Sequence, residues 1–371
     1  MHPKTDSTNM IHPTFTYGHA SVADLIVRKV ERTETGKVSL KDLEIDGQGV
    51  VATRRFWRSF FTRFGIAENV FRYFSPAEVF TRISQQNADD SFRFCIAHQK
   101  TGKVKTSRLL AVTSLKRPLI RYHEVVDLLQ RFGGTEVRYH DGLVSSVHAP
   151  RGGCRELSIG GDQFRDRFCL ETPVDGYGHP RLFLSMMRLI CSNGMIGYAR
   201  AFRSDIPVGK HMDHCIARAL ESFDNADGYA ALRQRFESSQ TSWASVHECL
   251  QMGAVLERIE RSKQTTTSGL MARFRTIAGN LSELYGLANL EALSDKRRRI
   301  LPSQARVYDL INFASEVATH HALPEGAKGM QAFIGSLVAD EYDLEGTAKD
   351  STDFDAFFVD DSDAVVRQSR N

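Results

Sequence analysis

The sequence predicts an α+β fold: a central antiparallel sheet flanked by N-terminal and C-terminal helices, followed by a disordered acidic C-terminal tail. Three observations lead there. Apolar residues recur at helical spacing in residues 54–86 and again from 212 to 321, a period of two governs much of residues 90–191, and residues 340–363 hold ten acidic side chains against Lys349. The chain has 371 residues, 42% hydrophobic and 25% charged, which gives room for a sizeable core and excludes collagen-like and wholly disordered classes.

Residues 1–20, dominated by His, Pro, Thr and Asn without a visible period, read as a flexible leader. An α+β core is expected over residues 21–225. Within it, Phe56, Phe60 and Phe64 recur at i, i+4, i+8 with Trp57 and Phe61 beside them, and Gly65 stands where a left-handed C-cap belongs. Ser75, Pro76 and Glu78 supply the N-cap, first-turn proline and N3 carboxylate of a capping box, so a second helix starts at Pro76. Alternation from Phe92 to Val112 around residues 100–103 predicts a hairpin, residues 122–132 a short helix, and residues 139–148 a second hairpin about Asp141-Gly142. Residues 164–170 and 182–191 read as strands joined by a loop over 173–180. A helical region is expected over residues 226–330, with Leu232, Phe236, Trp243, Val246, Leu250, Leu256 and Ile259 on one long helix. Residues 331–371 form the acidic tail.

Six cysteines are scattered singly with no C-x-x-C pair, which argues for reduced, mostly buried thiols and against a zinc ribbon or disulfide scaffold. No cofactor is expected. The polar N-terminus lacks an apolar segment ahead of a cleavage site, so the cytoplasm is the expected compartment, and no apolar run reaches bilayer length.

Charge is unevenly placed. Residues 54–131 contain fifteen Lys/Arg against six Asp/Glu, a local net of +9, whereas residues 340–363 sum to −9. Such a basic body invites polyanions, and the acidic tail offers either a solubilising segment, a mimic of nucleic acid, or a handle for a protein partner. The candidate nucleic-acid contacts are Arg54, Arg55, Arg58 and Arg63 on the first helix and Lys100, Lys103, Lys105 and Arg108 on the hairpin. The aromatics between those arginines are spaced for a buried stripe, with base stacking as the alternative use.

Residues 187–197, Met-Arg-Leu-Ile-Cys-Ser-Asn-Gly-Met-Ile-Gly, resemble the signature of domain-of-unknown-function family nine-three-two, in which an arginine and apolar residues precede Cys-Ser/Thr-Asn-Gly-Met/Leu. The signature positions here are Arg188, Cys191, Ser192, Asn193 and Gly194. The strand from Arg108 to Val112, the pair Lys210-His211 and a late helix with Asn312 and His320 or His321 agree in order, so the resemblance spans residues 50–322. It implies an α+β mobile-element protein encoded near replication, conjugation or recombination genes. The chain departs from the family at residues 152–154, in the 173–180 loop and in its acidic tail.

Physically, Asn-Gly after an apolar strand is a turn signal, and Cys191 suits a buried strand end. A nucleophilic Cys191 would need a base such as His179, His211 or His214 beside it. His211 and His214 lack a third placed metal ligand, and Glu171, Asp175, Asp205 and Asp213 lack a phosphate loop. The expectation is therefore a non-catalytic phage or plasmid protein that binds single-stranded DNA in replication or recombination and oligomerises along it. The rivals are an enzyme with a pocket beside residues 191–194, where Arg188 and His211 hold an anionic substrate, and a structural interaction protein.

Overall fold

A computed structural model describes residues 13–32, 38–86, 90–101, 104–188, 194–196, 203–262 and 268–321, together with 330, 333, 334, 337, 365 and 366. The fold is α+β, built on two large sheets where one central sheet was expected.

The first sheet is formed by β1 (Thr14–Ser21), β2 (Ile26–Val27), β5 (Asp42–Ile45), β6 (Gln48–Ala52), β7 (Ser91–Thr101) and β8 (Val104–Thr113), in the order β1-β7-β8-β6-β5-β2. Two short strands, β3 (Glu31–Arg32) and β4 (Val38–Ser39), pair beside it. The sheet is mixed, because β6 runs parallel to β8, with Val51 opposite Arg108. Alternation sorts the long hairpin: Phe92, Phe94 and Ile96 face the main core, while Cys95, Ala97 and Leu110 form a small cluster of their own.

The leader assigned to residues 1–20 is corrected over residues 14–20. β1 pairs with β7 along its whole length, from Thr14 opposite His98 to Ser21 opposite Ser91. Its ladder fixes a segment whose composition reads as irregular, and Gly18 lets the strand cross Phe94, whose ring would lie 2.2 Å from an added Cβ. Residues 1–12 lie outside the described residues.

α1 (Arg54–Phe64), α2 (Val70–Tyr73) and α3 (Pro76–Gln86) cover the first sheet. Thr53 caps α1 by accepting the Phe56 amide at 3.0 Å, and Gly65 ends it at φ 64°. The stripe expected from the spacing is buried: Phe56, Trp57, Phe60 and Phe61 pack against Phe71, Phe80 and the sheet. Glu78 accepts the Ser75 amide at 2.8 Å and donates its own amide to Ser75 Oγ at 3.3 Å, which closes the capping box.

After α4 (Tyr122–Arg131) comes the second sheet: β9 (Thr135–His140), β10 (Leu143–His148), β11 (Glu156–Ile159), β12 (Asp162–Pro173), β13 (Arg181–Arg188), β14 (Gly194–Ile196) and β15 (Arg203–Asp205). All its pairings are antiparallel, in the order β14-β13-β12-β10-β9 with β11 on β12 and β15 on β13. Asp141 at φ 50° and Gly142 at φ 82° make the tight turn between β9 and β10 that Asp-Gly predicts.

The second half is helical: α5 (Met212–Ser222), α6 (Ala226–Ser239), α7 (Val246–Ser262), α8 (Ser268–Ala278), α9 (Leu281–Tyr285), α10 (Asp295–Ile300) and α11 (Val307–Glu316). α6, α7, α8 and α11 share one core with Phe164, Leu184 and Met186 of the second sheet, and Met330, Phe333, Ile334 and Leu337 join it. The single long helix expected from Leu232 to Ile259 is corrected to two helices. The polar run over residues 238–242 ends α6, β16 (Trp243–Ser245) pairs with β17 (Pro302–Arg306), and a second capping box opens α7, with the Ser245 amide donating to Glu248 at 2.6 Å. Within the expected acidic tail, residues 341–371 are described only at β18 (Val365–Val366), which pairs with β4. No described helix is long and apolar enough to cross a membrane.

Candidate nucleic-acid interface

The arginines of α1 diverge once the helix docks, because a stripe buried on one face sends its neighbours to opposite flanks. Arg58 is exposed. Arg54 and Arg63 are half-buried, and Arg63 donates to the Ser91 carbonyl at 3.2 Å while its guanidinium lies 5.3 Å from the Phe64 ring centre.

Arg55 is not available to a ligand, which corrects its assignment as a nucleic-acid contact. It donates to the two oxygens of Asp175 at 2.5 and 3.0 Å and to the Tyr177 carbonyl, and its guanidinium lies 5.1 Å from the Tyr177 ring centre. The Asp175 side chain has 0% exposure and that of Arg55 19%. Burial opposes the Arg55 charge, but Asp175, with Glu171 and Asp141 behind it, outweighs burial and holds the guanidinium protonated. Asp175 also accepts the Tyr177 amide at 2.9 Å. The expected function of Arg55 is thus replaced by a structural one, tying α1 to the 173–180 loop.

Arg108 is similarly engaged, at 3.0 Å from Asp141 in the tight turn of the second sheet. Tyr17 donates to the Val174 carbonyl at 2.8 Å and Arg117 to the Gly178 carbonyl at 2.6 Å. These contacts form a polar joint between the two sheets, and Arg55 and Arg108 belong to it. Lys100 and Lys105 stand opposite each other at the end of the β7–β8 hairpin, and their side chains, like the whole of Lys103, lie outside the described residues.

A surface that combines exposed aromatics with cations lies next door, on α2 and α3. Tyr73 is 67% exposed and Phe74 40%. The Arg72 guanidinium lies 5.7 Å from the Tyr73 ring centre, and that of Arg82 5.4 Å from the Phe74 ring centre. Both arginines are exposed. Phe71 is spent in the core against Trp57 and Phe61, so the helical turn that buries Phe71 pushes the next two aromatics outward. Residues 54–86 carry six arginines against Glu68 and Glu78, which leaves this end of the molecule positive. Sequence reasoning passed over Tyr73 and Phe74, whose signal was that they continue an aromatic run beyond the 56/60/64 stripe.

Comparison with family models, curated proteins and solved structures returns no match for this chain. The site is therefore read from its own geometry.

Of the signature residues, Cys191, Ser192 and Asn193 lie outside the described residues, as does the Arg188 side chain at the end of β13. Gly194 opens β14 opposite Met187. Elsewhere, burial pushes the Cys95 thiol well above its ordinary range and that of Cys249 up to about 12, so neither is a thiolate at neutral pH. No group of three or more potential metal ligands occurs among the described residues.

Proposed function

We propose that this protein binds single-stranded nucleic acid without catalysing a reaction on it, and that the strand runs over the α2–α3 surface. The observation that carries the reading is the pair of adjacent exposed rings, Tyr73 and Phe74, each beside an exposed guanidinium. An aromatic plane accepts any base that is free of its duplex, and each stacked base contributes about 1–3 kcal/mol. Arg72, Arg82 and Arg58 supply phosphate contacts whose strength falls with salt. A duplex hides its base faces, so the surface favours single strands. The acidic segment over residues 340–363 is the chain's own competitor for this positive surface and a handle for a protein partner. A role for a phage or plasmid protein in replication or recombination is supported by the likeness of residues 187–197 to family nine-three-two.

The test is fluorescence anisotropy with labelled single- and double-stranded oligonucleotides at about 50 and 200 mM salt. Single strands bind tighter, binding weakens steeply with salt, and replacing both Tyr73 and Phe74 by Ala costs about tenfold or more while the circular dichroism spectrum is kept. Equal affinity of the double variant and the parent removes the α2–α3 surface from the proposal.

A further inference from the structure

Trp243 lies on β16, an element in contact with the strongly basic helix α10. β16 pairs antiparallel with β17, placing Trp243 opposite Arg306. The Arg306 guanidinium carbon lies 3.4 Å from an indole ring centre and is anchored by donation to the Thr241 carbonyl at 2.5 Å, so it covers one face of the ring. Nonetheless Trp243 is 48% exposed. α10 runs directly into β17 and presents Lys296, Arg297, Arg298 and Arg299 in succession against the single acid Asp295, a net of +3. Asp295 holds Arg298, while Lys296 and Arg297 are exposed.

Beneath them sits His247, in the first turn of α7. It is buried, and among the described residues neither ring nitrogen has a hydrogen-bond partner. Burial, then the nearby charges of Arg299 and Arg298, keep the ring neutral with a pKa of about 4, although Asp295 pulls the other way. The four cations of α10 outnumber its own single carboxylate, a combination that an anion from solution relieves.

We infer that this face is a second contact for single-stranded nucleic acid, with phosphates on Lys296 and Arg297 and a base stacked on the open side of Trp243. The inference rests on the single-strand reading above and extends it to the helical half of the molecule. The chemistry selects its ligand at both ends: the indole needs an unpaired base, and the two exposed cations need the charge that accompanies each base. Ordinary acidic peptides supply the second feature without the first.

The two tryptophans make the test direct, because Trp57 is 3% exposed and Trp243 is the accessible one. The full-length protein is titrated with oligothymidylate of about 20 nucleotides, reading tryptophan emission and its quenching by iodide, in parallel with anisotropy of the labelled strand. The expected result is loss of the exposed component of emission and protection from iodide as the strand binds. Trp243→Ala weakens affinity about fivefold or more, whereas Trp243→Phe retains it. Replacing both Lys296 and Arg297 by Ala, two exposed positions, lowers the magnitude of the salt slope by about 1.4.

Strand binding by anisotropy with emission, iodide quenching and salt slope all unchanged overturns this second contact and leaves the single-strand reading standing. Absence of binding by any oligonucleotide overturns both. Failure of iodide to quench the free protein shows the face already covered by the chain itself, which also overturns the inference.

Discussion

The buried pair Arg55–Asp175 gives the sharpest test of the structure against the simpler view of α1 as a nucleic-acid helix. Replacing Arg55 by Ala leaves a carboxylate with 0% exposure and, of the contacts described here, one remaining donor, the Tyr177 amide. Removing one partner of a buried, hydrogen-bonded ion pair costs about 3–5 kcal/mol, mostly through the uncompensated charge. Asp175→Ala falls toward the lower end of that range, since Arg55 keeps 19% exposure and the Tyr177 carbonyl. The double variant costs less than the sum of the two by about 1–3 kcal/mol, because each single change already breaks the shared contact. Urea denaturation followed by circular dichroism measures all three, and oligonucleotide anisotropy is run on the same proteins. If Arg55→Ala unfolds at the parent midpoint and instead loses affinity for single strands, the assignment of Arg55 to the joint between the sheets is refuted.

Two further outcomes follow from the same region and from the helical half. Gly142→Ala places a Cβ at φ 82° and 2.5 Å from Asp175 Oδ2, so it costs about 1–3 kcal/mol in denaturation; an unchanged midpoint would mean that this turn tolerates another geometry. His148 and His247 are both held at about 4, His148 by burial and His247 by burial and its arginine neighbours, against an ordinary 6.5. Between those values the unfolded chain binds more protons than the folded one, so their contribution is complete above about pH 6.5 and is lost as pH falls toward 4, by about 2 kcal/mol each at pH 5. His247→Leu therefore narrows the difference in urea midpoint between pH 7 and pH 5, and an equal difference in variant and parent would refute its neutral state.

What the sequence disclosed was local chemistry. Gly65, the Ser75–Glu78 box and the Asp141-Gly142 turn act within four residues of themselves, so their spacing alone predicts them. The burial of Phe56, Trp57, Phe60 and Phe61 follows from helical periodicity in the same way. Arg55 was misread because its fate depends on Asp175, 120 residues further on, and no local pattern reports that approach. Trp243 shares the spacing of a buried helical face, yet the serine- and threonine-rich run ahead of it favours capping over continuation and turns the ring outward. Tyr73 and Phe74 were obscured for the opposite reason: in a sequence so rich in phenylalanine, the rings left outside the core look like those within it.

The pairing of β1 with β7 has a practical corollary for anyone trimming the chain. β7 spans eleven residues, and β1 occupies its outer side from Ser91 to His98. A truncation that removes residues 14–21 would strip the Tyr17 tie to Val174 and leave a long ladder of unsatisfied amides and carbonyls open to neighbouring molecules. The native outer rim instead alternates small hydroxylated residues, Thr14 and Thr16, with Phe15 and Tyr17 turned toward other aromatic rings. Shortened versions that begin after residue 21 would be expected to stick to one another, and soluble expression depends on keeping this first strand.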